Sequence, residues 1–119
     1  MNIFFWIVLI LLIIFFGIRM MPIKGVQNIT STELKSMLPN KDKQFIDVRT
    51  PGEYQQNKIT AFQNIPLQQL RGHLSQLSKE KDTVLICQSG MRSQQAAKLL
   101  KKAGFNHLYN VSGGMNSWN

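Results

Sequence analysis

The stretch from residue 83 to residue 103 constrains the fold most, because it carries a complete strand–loop–helix pattern. Residues 83–86 form a short, largely β-branched apolar run, which is typical of a buried strand. A small polar loop follows, and from residue 93 to 103 apolar residues recur along one helical face. A buried strand that leads directly into an amphipathic helix is the building unit of a parallel α/β sheet.

The same alternation runs through the rest of the chain after residue 22. Residues 30–33 and 50–53 both have the spacing of a capping box, which predicts helices over 31–38 and from 51 to about 56. Further strands are predicted at 26–29, 44–48, 64–65 and 107–111, with helical turns at 67–77 and a short terminal helix after the glycine pair at 113–114. We therefore expect an α/β fold with a central parallel sheet, helices on both faces, and a site at the carboxyl ends of the strands.

Cys87 is the only cysteine in the chain, and it directly follows the strand predicted at 83–86. Only a thiolate is nucleophilic, and the unpartnered N–H groups of a loop and a helix start favour that anion. Arg92 adds a permanent positive charge, and Gly90 lets the loop turn. A lone cysteine is commonly a buried structural residue, but a small polar loop that ends in a cation favours a reactive thiol. No histidine is close in sequence, so a Cys–His pair could form only through space.

Four segments resemble, in order, the signatures of the rhodanese-like sulfurtransferase family. They are residues 45–54, 64–67, 84–93 and 108–115, the last followed by Trp118. The resemblance implies a rhodanese-like domain over residues 22–119 that transfers sulfur without a cofactor.

The resemblance also implies roles for individual residues. Cys87 would take the outer sulfur of a small donor such as thiosulfate as a persulfide, and would pass it to a thiol, to cyanide or to a protein acceptor. The residues expected to bind the donor and stabilise the persulfide are Gln88, Ser89, Gly90, Met91, Arg92 and Ser93. Asp47 and Arg49 are expected either to brace the active loop by hydrogen bonds or to form an ordinary surface ion pair.

Two sequence features bear on the choice of substrate. Four residues separate Cys87 from Arg92, whereas phosphatases of a similar fold have five, so the loop favours sulfur transfer over phosphoryl transfer. The family's second signature often has a histidine and then a glycine–alanine pair, where this chain has Lys58 and then Ala61 and Phe62. These departures leave the nucleophile unchanged and put donor choice in question. A non-enzymatic persulfide carrier or docking module remains the alternative function.

Residues 3–18 contain no charged or strongly polar side chain, and as a helix they would extend about 24 Å. This run predicts a membrane anchor over residues 1–21. Arg19 and Lys24 follow the run and no Lys or Arg precedes it, so the positive-inside rule predicts a single-pass protein whose domain faces the cytoplasm. A cleaved signal would need a basic start and a small-residue cleavage site, which are absent. A buried or interfacial helix is the other alternative.

Charge and composition limit the partners. Fourteen basic residues outnumber six acidic ones, for a formal charge of +8. The lysines are scattered, without an arginine cluster or an aromatic–basic stripe, so we expect a membrane surface rather than nucleic acid as the partner. One cysteine excludes an intramolecular disulfide, and with two histidines it does not readily build a metal site, so we expect no metal.

Overall fold

The computed structural model describes residues 2–20 and 24–118, and strands alternate with helices along the second of these ranges. The elements are α1 (Ile3–Met20), β1 (Val26–Ile29), α2 (Ser31–Met37), β2 (Gln44–Asp47), α3 (Pro51–Gln56), β3 (Gln63–Asn64), a first 3₁₀ helix (Leu67–Gln76), β4 (Thr83–Ile86), α4 (Met91–Lys102), β5 (Leu108–Val111) and a terminal 3₁₀ helix (Gly114–Ser117). The predicted α/β order is confirmed.

The five strands form one sheet in the order β1-β5-β4-β2-β3, and every neighbouring pair is parallel. Strand β4 is therefore central, between β2 and β5. Because the strands are parallel, the residues that follow β2, β4 and β5 meet at one edge of the sheet, as expected for the position of a site in such folds.

The sheet has a hydrophobic core on each face, because successive strand residues point to opposite sides. One core joins Leu85 and Cys87 to apolar residues of α4 and the first 3₁₀ helix. The other joins Val84 and Ile86 to Leu34 of α2 and to the terminal 3₁₀ segment. Helices on both faces are thus confirmed, and Cys87 lies on the α4 side.

Some predicted boundaries shift by one or two residues. Helix α4 begins at Met91 rather than at residue 93, because Gly90 adopts a left-handed φ of 102° and turns the chain directly into the helix. The strand predicted at 64–65 lies at Gln63–Asn64. The leucine-rich turns after Pro66 form a 3₁₀ helix.

The N-terminal helix corrects one prediction. Among the residues that the structure describes, no helix combines the length and the apolar character needed to cross a membrane. An arginine at position 19 limits the uncharged part of α1 to residues 3–18, about 24 Å, against a hydrocarbon core of about 30 Å. The predicted single-pass location with a cytoplasm-facing domain is therefore wrong, and the predicted anchor and membrane partner are not supported. The boundary expected between residues 21 and 22 lies outside the described residues.

Candidate active site

The thiol of Cys87 lies at the carboxyl end of the central strand and is fully buried. The backbone N–H of Gly90 donates to its Sγ at 3.0 Å. Gly90 is the N-cap of α4, and its left-handed backbone is a conformation that residues with a Cβ rarely adopt. The glycine therefore allows the tight turn that aims an amide at the sulfur.

A hydroxyl also lies near the sulfur, on the inner side of the domain. The hydroxyl of Ser93 is 3.4 Å from Sγ of Cys87, 3.1 Å from the carbonyl of Gly90 and 2.5 Å from Oδ1 of Asn110. Nδ2 of Asn110 in turn donates to Oδ1 of Asn28 at 3.3 Å. A buried polar network therefore underlies the thiol, and sequence reasoning missed its Asn110 and Asn28 members, which lie in β5 and β1.

The other predicted loop residues do not surround the sulfur. The side-chain amide of Gln88 donates to Oδ1 of Asn116 at 2.7 Å, while Ser89 and Met91 are exposed to solvent. Within the described part of the chain, the Gly90 amide and the serine hydroxyl are the donors that reach Sγ. In place of the expected ring of loop amides, the structure has one amide and one hydroxyl.

Arg92 lies in the first turn of α4, and its guanidinium binds a carboxylate of α3. Nη1 donates to Oε1 of Glu53 at 2.7 Å and Nη2 to Oε2 at 2.9 Å. The hydrogen bond from Arg92 is the main cause that lowers the pKa of Glu53 to about 2. The hydrogen bond to Glu53 raises the pKa of Arg92, and the charge of Cys87 contributes in the same direction. Sequence reasoning assigned Glu53 to a helix cap and missed this second contact.

Asp47 and Arg49 form a buried pair at the end of β2, and their side chains are 1% and 2% exposed. Nη2 of Arg49 donates to Oδ2 of Asp47 at 2.8 Å and to the carbonyl of Asn57 at 2.6 Å. Its Nη1 donates to the carbonyl of Glu53 at 3.1 Å and reaches Oε1 of Gln88 at 3.4 Å. This is the geometry of a brace between β2, α3 and the active loop, rather than of a surface ion pair.

The terminal 3₁₀ helix holds the backbone of the loop from the other side. The N–H of Met115 donates to the carbonyl of Cys87 at 2.8 Å, and that of Asn116 to the carbonyl of Gln88 at 3.0 Å. A Cβ on Gly114 would collide with the Cys87 carbonyl. The glycine pair after β5 was the sequence signal for this close approach.

Of the residues that depart from the family pattern, Lys58 and Ala61 lie at the surface, whereas Phe62 is buried in the hydrophobic core. Lys58 and Ala61 are both exposed, and Nζ of Lys58 is 5.3 Å from the centre of the Tyr54 ring. Among the described residues, no group of three or more His, Cys, Asp or Glu side chains could hold a metal ion.

The sequence of the chain matches a known family and several known proteins. Residues 30–119 match the rhodanese-like domain family. A sulfurtransferase from Allochromatium vinosum is 33% identical over 94 residues, which cover 78% of this chain and 88% of that protein. The thiosulfate sulfurtransferase PspE of Escherichia coli is 37% identical over 71 residues, covering 58% of this chain and 68% of PspE.

The fold also matches a solved structure of a rhodanese-like domain protein. The crystal structure of a rhodanese-like domain protein from Staphylococcus aureus superposes with a TM-score of 0.72 at 32% identity, covering 78% of this chain and 91% of that one. The match of family, fold and strand-end thiol leads to one conclusion: the chain belongs to the rhodanese-like domain family.

Proposed function

We propose that this protein is a sulfurtransferase that moves sulfane sulfur from a small anionic donor such as thiosulfate to an acceptor through a persulfide on Cys87. The observation that carries the proposal is the Gly90 N–H, which donates to Sγ of Cys87 at 3.0 Å at the end of the central strand. Relatives named sulfurtransferase and thiosulfate sulfurtransferase support it.

The reaction consists of two displacements at sulfur. In the first, the Cys87 thiolate attacks the outer sulfur of thiosulfate, a new S–S bond forms, the S–S bond of the donor breaks, and sulfite leaves with the electron pair. In the second, an acceptor thiolate or cyanide attacks the outer sulfur of the persulfide, and the Cys87 thiolate is regenerated. Each step transfers a sulfur atom and needs no external oxidant or reductant. Because the sulfur is held covalently on Cys87 between the two half-reactions, ping-pong kinetics are expected.

The site residues supply hydrogen bonds and charge to these steps. The Gly90 amide stabilises the anionic sulfur, because donors to a charged acceptor form the stronger class of hydrogen bond. The Ser93 hydroxyl adds a second hydrogen bond when its proton turns from Oδ1 of Asn110 to Sγ. Arg92 lies at the rim and binds the anionic end of the donor. Since Sγ is fully buried, the loop at 88–92 moves to admit the donor.

The test is intact-mass analysis of the full chain after thiosulfate treatment, together with turnover of thiosulfate and cyanide. We expect one added sulfur atom localised to Cys87, and near-total loss of turnover in Cys87→Ser. Unchanged turnover in Cys87→Ser would refute the mechanism.

The burial of Cys87 also favours a second candidate, a persulfide carrier whose loop opens only on a partner protein. A carrier would accept sulfur at Cys87 but would turn over poorly with thiosulfate and cyanide alone. The same two measurements therefore separate the enzyme from the carrier.

A further inference from the structure

The proposed function assigns the guanidinium of Arg92 to binding of the sulfur donor. In the structure this guanidinium is already paired with the carboxylate of Glu53. Both terminal nitrogens of the guanidinium are bound, each to its own carboxylate oxygen, at 2.7 and 2.9 Å. Arginine commonly binds an oxyanion through such a pair of parallel N–H···O hydrogen bonds. A sulfur donor with an oxyanion end would therefore share this guanidinium with the Glu53 carboxylate.

Helix capping does not explain the ion pair. Oε1 of Glu53 accepts from the N–H of Thr50 at 3.1 Å, and Oε1 of Glu33 accepts from the N–H of Thr30 at 3.1 Å. Both helices have complete capping boxes. Among the described residues no cation is bound to Glu33, so a glutamate at this position caps its helix without an arginine.

The pair is accessible to a ligand. The side chains of Arg92 and Glu53 are 35% and 33% exposed, whereas Asp47 and Arg49 behind them are almost fully buried. The Glu53 carboxylate stays ionised at neutral pH, because the hydrogen bond from Arg92 lowers its pKa to about 2. The rim of the site thus presents one positive and one negative charge side by side.

We infer, on the basis of the proposed function, that Glu53 is a positioning residue that acts through Arg92 and sets the charge preference of the donor site. By pairing with both terminal nitrogens, Glu53 offsets the positive charge that Arg92 presents to an anionic donor. Its negative charge also repels a dianion about twice as strongly as a monoanion at the same place. Compared with a site that carries Arg92 alone, the chain therefore favours doubly charged donors such as thiosulfate less, and singly charged ones such as an organic thiosulfonate more.

The test compares Glu53→Gln with the matched control Glu33→Gln in the full chain. Glutamine still accepts from the N-cap N–H in a capping box, so each helix start is kept and only the carboxylate charge is removed. For both variants, KM and kcat are measured with thiosulfate, a dianion, and with benzenethiosulfonate, a monoanion.

We expect Glu53→Gln to lower the KM for thiosulfate by about tenfold more than the KM for benzenethiosulfonate, with kcat changed by less than about threefold. We expect Glu33→Gln to leave both KM values unchanged. Equal shifts for the two donors, a higher KM for thiosulfate, or the same behaviour in Glu33→Gln would overturn the inference.

A binding measurement keeps this test separate from the test of sulfur transfer. Sulfate, an unreactive dianion, is titrated by calorimetry into Cys87→Ser and into Cys87→Ser with Glu53→Gln. Tighter binding by about tenfold in the double variant supports a charge-setting Glu53 even where the chain shows no turnover. Equal sulfate affinity in the two variants overturns it even where Cys87 proves to be the nucleophile.

Discussion

Helices α2 and α3 begin with nearly identical capping boxes. In each, the N-cap threonine hydroxyl accepts from the backbone of the glutamate three residues on, at 3.1 Å in α2 and 3.2 Å in α3. In each, the glutamate carboxylate accepts from the threonine N–H at 3.1 Å. The local chemistry of the two starts is therefore the same.

The two helices differ in what holds them to the domain. Helix α2 buries Leu34 in the hydrophobic core, whereas α3 has no buried residue. Helix α3 is tied instead by polar contacts, since the carbonyl of Glu53 accepts from Arg49 and the carboxylate of Glu53 binds Arg92. Apolar burial fixes α2 in place, while α3 is held by polar contacts with Arg49 and Arg92 at the active site and by a neutral hydrogen bond from the Tyr54 hydroxyl to the carbonyl of Phe62. A ligand that competes for those charges can act on α3 and cannot act in this way on α2.

The largest expected effect comes from removing the buried cation under α3. We expect Arg49→Ala to lower the free energy of unfolding by about 3–5 kcal/mol, because it leaves the Asp47 carboxylate buried without its partner. The measurement is urea unfolding of the full chain. Lys35→Ala, which removes a cation of α2 whose Nζ lies 5.3 Å from the centre of the Trp118 ring, serves as control and is expected to lower stability by less than about 1 kcal/mol. A similar small loss in both variants would show that α3 does not depend on Arg49.

The second prediction concerns Arg92, the partly exposed cation of α4 that binds Glu53 of α3. We expect Arg92→Ala to lower kcat/KM for thiosulfate by about 10²–10³, because the leaving sulfite loses a donor aimed at its developing charge. Lys35→Ala should leave kcat/KM within about twofold of the wild type. Steady-state assays with thiosulfate and cyanide measure both. A loss below tenfold in Arg92→Ala would place the donor elsewhere on the rim.

The sequence predicted the features that depend on neighbouring residues, but it did not predict the contacts between residues far apart in the chain. Both capping boxes, the extent of α3 and the strand that leads to Cys87 could be predicted, because each depends on neighbours within a few residues. The pairing of Glu53 with Arg92 joins residues 39 apart in the chain. It depends on β2 and β4 being adjacent in the sheet, which no local pattern reveals.

The same limit explains the other differences at the site. Asn110 looked like one polar residue in a strand, and only the pairing of β5 with β4 brings it next to Ser93. The membrane prediction failed for another reason. The uncharged run over residues 3–18 is shorter than the hydrocarbon core, and the prediction depended on snorkelling of Arg19 and thinning of the bilayer to make up the difference.

The third prediction compares the two caps directly. We expect Thr30→Ala and Thr50→Ala each to lower the free energy of unfolding by about 1 kcal/mol, because each removes one N-cap hydrogen bond. Thr50→Ala should in addition change the KM for thiosulfate, since its hydroxyl also contacts the Glu53 carboxylate at 3.0 Å. Thr30→Ala should not. Urea unfolding measures the stability of the two variants, and steady-state kinetics measure their KM for thiosulfate. An unchanged KM in Thr50→Ala would show that the Thr50 cap does not affect the ion pair between Glu53 and Arg92.

The smallest effect is the pH dependence of the Arg92–Glu53 pair. The folded protein lowers the pKa of Glu53 from 4.5 to about 2, so the pair adds stability above pH 4.5 that is lost as the pH falls towards 2. Because both side chains are about one-third exposed, we expect this contribution to stay below about 1 kcal/mol. The difference in unfolding free energy between the wild type and Glu53→Gln should be nearly constant above pH 4.5 and should decrease progressively as the pH falls from 4.5 through 2. A difference that persists unchanged at pH 2 would show that the carboxylate charge does not hold α3, and the contrast with α2 would then rest on Arg49 and Tyr54.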